Sequence, residues 1–127
     1  MNVRRTTATA VTAALLAAPL TLATASPASA ADREFRYGGA NIEFDVEKDD
    51  GRFEVEVDLD DAKPGHRYRI TLWHDGRKFY DRIRTVNSDG DIEVERERRN
   101  TRGTDTFKLR VKKTNWKSSA VRTIRTR

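Results

Sequence analysis

The chain has 127 residues, 35% of them charged and none of them cysteine, with a formal net charge of +5. Without cysteine there is neither a disulfide framework nor a thiol nucleophile. The length allows one domain and not two. A domain of about 100 residues buries roughly 60–68% of its unfolded surface, enough to stand without staples.

The first thirty residues have the three parts of a Sec-type signal peptide. Arg4 and Arg5 form a short positive region, and residues 8–25 carry no charge, with Val11, Leu15, Leu16, Leu20 and Leu22 supplying the apolar centre. Pro27-Ala28-Ser29-Ala30 then offers a helix breaker and small residues at the −3 and −1 positions, so cleavage is expected between Ala30 and Ala31. A membrane anchor fits worse. The stretch is diluted by Thr and Ala, contains Pro19, and falls short of the ~20 strongly apolar residues a spanning helix needs. No cysteine exists for lipidation, and no L-P-x-T-G sequence for wall sorting. The expected product is secreted and extracellular, with no membrane span, a lead-in over residues 31–41 and one domain over residues 42–127. The Ala/Thr-rich leader and the preference for Arg over Lys resemble secreted chains of high-GC Gram-positive bacteria.

Beyond the leader, alternation with period two dominates. The first predicted strand, residues 42–47, sets Ile42, Phe44 and Val46 against Glu43, Asp45 and Glu47. The second, 52–59, buries Phe53, Val55, Val57 and Leu59 and exposes Glu54, Glu56 and Asp58. The third, 66–74, buries Tyr68, Ile70 and Leu72 and exposes Arg67, Arg69, Thr71 and Trp73. A fourth, 77–86, is less regular, with Phe79 and Ile83 facing in and Arg82 and Arg84 out. The fifth, 91–97, has Ile92 and Val94 inside and Glu93, Glu95 and Glu97 outside. The sixth, 106–112, buries Phe107, Leu109 and Val111 and exposes Lys108, Arg110 and Lys112. A seventh, 119–125, offers Val121 and Ile124.

The connections sort these strands into sheets. Asp50-Gly51 and Asp75-Gly76 are two-residue hairpin signals, because both residue types tolerate positive φ. Residues 60–65, 87–90 and 98–105 are longer and suit crossings between sheets. The expectation is a single seven-stranded antiparallel β-sandwich, with the first, second and fifth strands in one sheet and the other four in the second. The rival is an up-and-down meander or barrel. Gly103-Thr104, then Phe107, Leu109, Val111 and Asn115, resembles the sixth-strand motif of fibronectin type III modules, with Phe where the family has Tyr. Pro64-Gly65 before Tyr68, Ile70 and Leu72 resembles the third-strand start of bacterial secreted immunoglobulin-like modules. Val55 and Val57 stand where the family has a buried Trp. The resemblance implies a fibronectin type III/immunoglobulin-like β-sandwich; a non-enzymatic extracellular interaction module is the expected role.

Catalytic signatures are missing. His66 and His74 lie at opposite ends of the third strand, roughly 26 Å apart at strand rise, and no phosphate loop, serine elbow or zinc spacing occurs. Asn87-Ser88-Asp89-Gly90-Asp91 resembles half a calcium loop, with Asp49, Asp50, Asp58, Asp60 and Asp61 as further carboxylates, but acidic turns are ordinary hairpin chemistry. No metal, cofactor or enzymatic activity is expected. Charge carries more information. Residues 31–95 hold eighteen acids against eleven bases, and residues 96–127 two against twelve. In the sandwich arrangement one outer face becomes acidic and the other basic, the basic one built on Arg67, Arg69, Lys108, Arg110 and Lys112 beside Trp73. Trp73 is either a ring platform or lies beneath the tail, residues 113–127. The expected partner is anionic: a wall polymer, an acidic polysaccharide or a protein, with nucleic acid not expected. The alternatives are a monomer that self-associates weakly, acidic face to basic face, and a small secreted hydrolase inhibitor.

Overall fold

A computed structural model describes residues 30–126; the expected signal peptide, apart from Ala30, lies outside the described residues. Eight strands run in order: β1 (Ala30–Tyr37), β2 (Ala40–Asp49), β3 (Arg52–Asp60), β4 (Arg67–His74), β5 (Arg77–Thr85), β6 (Ile92–Arg99), β7 (Asp105–Lys113) and β8 (Ala120–Thr126). They form two antiparallel sheets, β1-β2-β3-β6 and β5-β4-β7-β8, packed face to face. The meander does not form: β3 pairs with β2 and β6, and β4 with β5 and β7.

The hairpins follow from local chemistry. Asp50-Gly51 and Asp75-Gly76 adopt positive φ at both positions (55° and 79°; 49° and 84°). That backbone twists with the strands it joins. The longer connections 61–66 and 86–91 cross between the sheets side by side. Ala62 N–H donates to the Gly90 carbonyl at 3.0 Å, and Gly65 N–H to that of Val86 at 3.0 Å. Asn87 Oδ1 accepts from the N–H groups of Asp89 and Asp91, both at 2.9 Å, so the segment that resembled a calcium loop is closed as an Asx turn.

Between the sheets lie the inward positions of the alternating strands. Phe44, Phe53, Val55 and Val57 meet Tyr68, Ile70, Leu72, Phe107 and Leu109, all fully buried. Each such side chain contributes roughly 1.5–3 kcal/mol relative to exposure. Tyr68 also ties the layers together, its hydroxyl donating to the Gly38 carbonyl at 2.6 Å. Gly38 is required there: its φ is +64°, and a Cβ would sit 3.0 Å from the Tyr68 ring.

The structure corrects the sequence expectations in four places. Residues 31–41 are no lead-in; they form β1 and the start of β2, so the strands number eight, not seven. In β5 the register against β4 shifts, with Leu72 opposite Tyr80 and Trp73 opposite Lys78, which leaves Phe79 as an extra residue. Beyond this bulge the faces swap. Tyr80 is buried, Ile83 is 49% exposed on the outer side, and Arg82 and Arg84 take the parity that faces the other sheet. Thr71 is buried rather than exposed, beneath the Asp81 carboxylate. Val121 points outward, while Ile124 on the same strand is buried.

Candidate functional site

The outer face of β4 and β7 brings together the residues expected there. The register sets Arg69 opposite Lys112, Thr71 opposite Arg110 and Trp73 opposite Lys108, with Arg67 beyond. Successive outward residues on one strand stand ~7 Å apart, so these cations make two parallel rows. They are not equivalent. Arg69 is clamped by Asp81 in a two-pronged pair, Nε and Nη2 each 2.8 Å from a carboxylate oxygen. Lys78 adds a contact at 3.3 Å and Thr71 a hydrogen bond at 3.1 Å. The Arg69 guanidinium holds the Asp81 carboxyl far below its ordinary range.

Trp73 does not lie under the tail. Lys108 Nζ is 4.4 Å from its ring centroid and the Arg110 guanidinium 5.3 Å, so the ring is covered by the cations themselves. Trp116, in the β7–β8 connection, packs edge-on against Tyr37 of β1. The Tyr37 hydroxyl accepts from Lys113 N–H at 2.9 Å and donates to the Ser118 carbonyl at 2.6 Å. Between Arg69, Lys112, Ile83 and Thr114 the face has a shallow hollow of about 230 Å³.

The opposite outer face is acidic, and β1 enlarges it. Asp32, Asp45, Glu56 and Glu95 stand in one cross-strand row, Glu34, Glu43, Asp58 and Glu93 in the next, and Glu47, Glu54 and Glu97 in a third. Directly opposed residues are only ~4.5–5.5 Å apart at Cα, so like charges there repel. Arg52 relieves only one end, 3.6 Å from Glu97. Burial, followed by Glu93, Asp60, Glu43 and Asp91, pushes the Asp58 carboxyl up to about 6. Glu54 is raised by Glu95 first, and Glu56 and Asp45 chiefly by burial.

A third cluster was not legible as a unit in the sequence. His74 faces inward, stacked 4.3 Å from Phe107, with Nε2 2.7 Å from the fully buried Asp105 Oδ1. Asp105 Oδ1 also accepts from the Thr101 N–H at 3.2 Å and hydroxyl at 2.6 Å. Among the described residues, His74, Asp75 and Asp105 bring three metal-ligating atoms within 4.8 Å of one another. Arg98 Nε–H donates to His74 Nδ1 at 3.4 Å, so Nε2 carries the proton and donates to Asp105. A guanidinium against the ring opposes a cation at the same place. The Thr101 hydroxyl bonds carboxylates and not the imidazole, so the group lacks a nucleophile–base pair. Its geometry is that of a lock between the 75–76 turn and the 100–104 connection.

No protein-family model, no curated protein and no solved structure matches this chain.

Proposed function

We propose that this chain is a secreted, non-enzymatic module of fibronectin type III/immunoglobulin-like type that binds an anionic polymer through the outer face of β4 and β7. One observation carries the reading: opposite charges are segregated onto opposite faces of a single sandwich, and the basic face repeats its cations along two adjacent strands. Such rows suit a repeating polyanion better than a compact molecule, because each contact releases a counterion. Arg67, Lys108, Arg110 and Lys112 are the contacting cations, and Arg69 orders the face through Asp81. Wall polymers and acidic polysaccharides present such repeats.

The test is binding to heparin and to polygalacturonate, followed by calorimetry. The expected Kd is micromolar or weaker at low salt, rising at least about tenfold from 50 to 200 mM NaCl. R67E/K108E/R110E/K112E should abolish binding with the fold intact. Arg69 is left alone, since Glu there would confront Asp81. Unchanged binding by the fourfold variant would sink the proposal.

The acidic rows favour a second reading, in which the acidic face of one copy meets the basic face of the next. That contact is heterologous and leaves an open chain rather than a closed dimer. Gel filtration then shows oligomers at 20 mM NaCl that dissolve at 500 mM. A monomer at every concentration and salt tested would rule it out.

A further inference from the structure

The two sides of the sandwich where the sheets end are not alike. On one, β1 lies against β8, with Arg122 stacked 4.1 Å over Phe35. On the other, β5 and β6 are edge strands of opposite sheets, and here the positions facing the other sheet change from apolar to basic. In β6, Ile92 and Val94 are followed on the same parity by Arg96 and Arg98. In β5 the bulge at Phe79 places Arg82 and Arg84 on the corresponding parity after Tyr80. Four arginines therefore line one edge. Among the described residues none of them has an ion-pair partner.

Two of these guanidiniums are held by rings. Arg96 lies 4.7 Å over Tyr80 and Arg98 4.5 Å over Phe79, while Arg84 donates to the Tyr80 hydroxyl at 3.0 Å. A guanidinium stacked by its face keeps its N–H donors in plane and available. Arg96 spends one of them on the Glu95 carbonyl, at 2.7 Å. Between the strands is a cleft of about 330 Å³, lined by Lys78, Phe79, Tyr80, Asp81, Arg82 and Arg96. Asp81 is the one carboxylate in its wall, and Arg69, Lys78 and Thr71 already hold it.

We infer that this cleft is a second anion site, distinct from the β4–β7 face, and that it takes a compact, multiply charged oxyanion of the diphosphate class. The Arg96 fork, stacked over Tyr80, and the neighbouring Arg82 fork match the paired oxygens of a phosphoryl group. Two arginines in its wall without an ion-pair partner, Arg82 and Arg96, call for a ligand with more than one negative charge. The diphosphate is either free or carried on a larger molecule.

Calorimetry on the chain at 50 mM NaCl, with pyrophosphate, ADP and orthophosphate, tests this. Pyrophosphate is expected to bind at one site with a Kd of about 10–100 µM, and orthophosphate at least about tenfold more weakly. ADP equal to pyrophosphate means that the diphosphate alone is read; tighter ADP means that it is carried on a larger molecule. R82Q/R96Q, which keeps the stems, should weaken pyrophosphate about ten- to hundredfold, the loss of charge-assisted hydrogen bonds. R82K/R96K keeps the charge without the fork and should fall between, guarding against a folding defect. R67E/R110E should leave pyrophosphate unchanged while weakening polymer binding, so the two sites fail separately. No binding at 1 mM pyrophosphate, or binding indifferent to R82Q/R96Q, overturns the inference.

Discussion

Replacing Asp105 by Ala should lower the melting temperature by about 15 °C, the largest effect expected of any single substitution outside the apolar core. The change leaves three donors without their acceptor: the His74 imidazole N–H, the Thr101 amide and the Thr101 hydroxyl. A buried donor left unpaired costs about 1–3 kcal/mol. The Thr101 hydroxyl can still turn to Asp75, 3.1 Å away, so the total is about 3 kcal/mol. For a domain near 100 residues each kcal/mol is worth about 4–8 °C. The damage should spread, because Asp75 caps the Thr106 N–H at 2.8 Å and the Asn100 N–H donates to the Gly51 carbonyl at 3.1 Å. Asp105→Asn keeps an oxygen at the junction and should recover more than half of the loss. A thermal melt of Asp105→Ala within 3 °C of the parent would show that the cluster is not a lock.

The acidic face sets the second prediction. Asp45, Glu54, Glu56, Asp58 and Asp91 are all shifted up in the folded state, so folding retains protons that the unfolded chain has already released. Stability must then fall as pH rises through the window between the unfolded and folded values, and the penalty is complete above the folded value. For Asp58 that window runs from 3.8 to about 6. Asp81 acts oppositely, but its contribution is complete once pH exceeds its unfolded value of 3.8. The melting temperature should therefore peak near pH 4 and decline by pH 7. Asp58 is only partly buried, so screening leaves it about 1 kcal/mol, or roughly 5 °C. D58N should remove that share of the decline, and 0.5 M NaCl at pH 7 should recover part of the remainder. A melting temperature that climbs from pH 5 to 7 would contradict this account.

The sheet arrangement was legible because local signals and loop lengths agreed. Asp-Gly pairs fixed two hairpins, and the three longer connections became the three crossings. Outward parity in β2, β3, β4, β6 and β7 could be read directly, so the acidic and basic faces were visible before any coordinate. Gly38-Gly39 was the same kind of two-residue signal, with φ of 64° and 85°, and it joins β1 to β2. It was missed because β1 carries only Phe35 and Tyr37 as large apolar residues, both half-buried at the edge of a sheet. The bulge left no mark in composition, since Phe79 and Tyr80 are adjacent aromatics and either could have been the inward one. The His74 lock needed tertiary information: its members come from three separate segments, and a lone histidine at a strand end reveals nothing of a carboxylate thirty-one residues away.

The extra residue at Phe79 also bears on how such a surface can evolve. Because side chains alternate with period two, a β5 that paired without the bulge would exchange every position after residue 78. With the extra residue, Arg82 and Arg84 line an edge cleft and Asp81 sits opposite Thr71 to steady Arg69. Paired straight through, with Phe79 opposite Leu72, both arginines would instead join the outer rows beside Arg69, Ile83 would return to the core side, and Asp81 would leave its partner. The bulge, rather than any change of charge, thus stands between one broad cationic surface and two distinct ones, and a lineage that lost the Phe79 codon would keep the two.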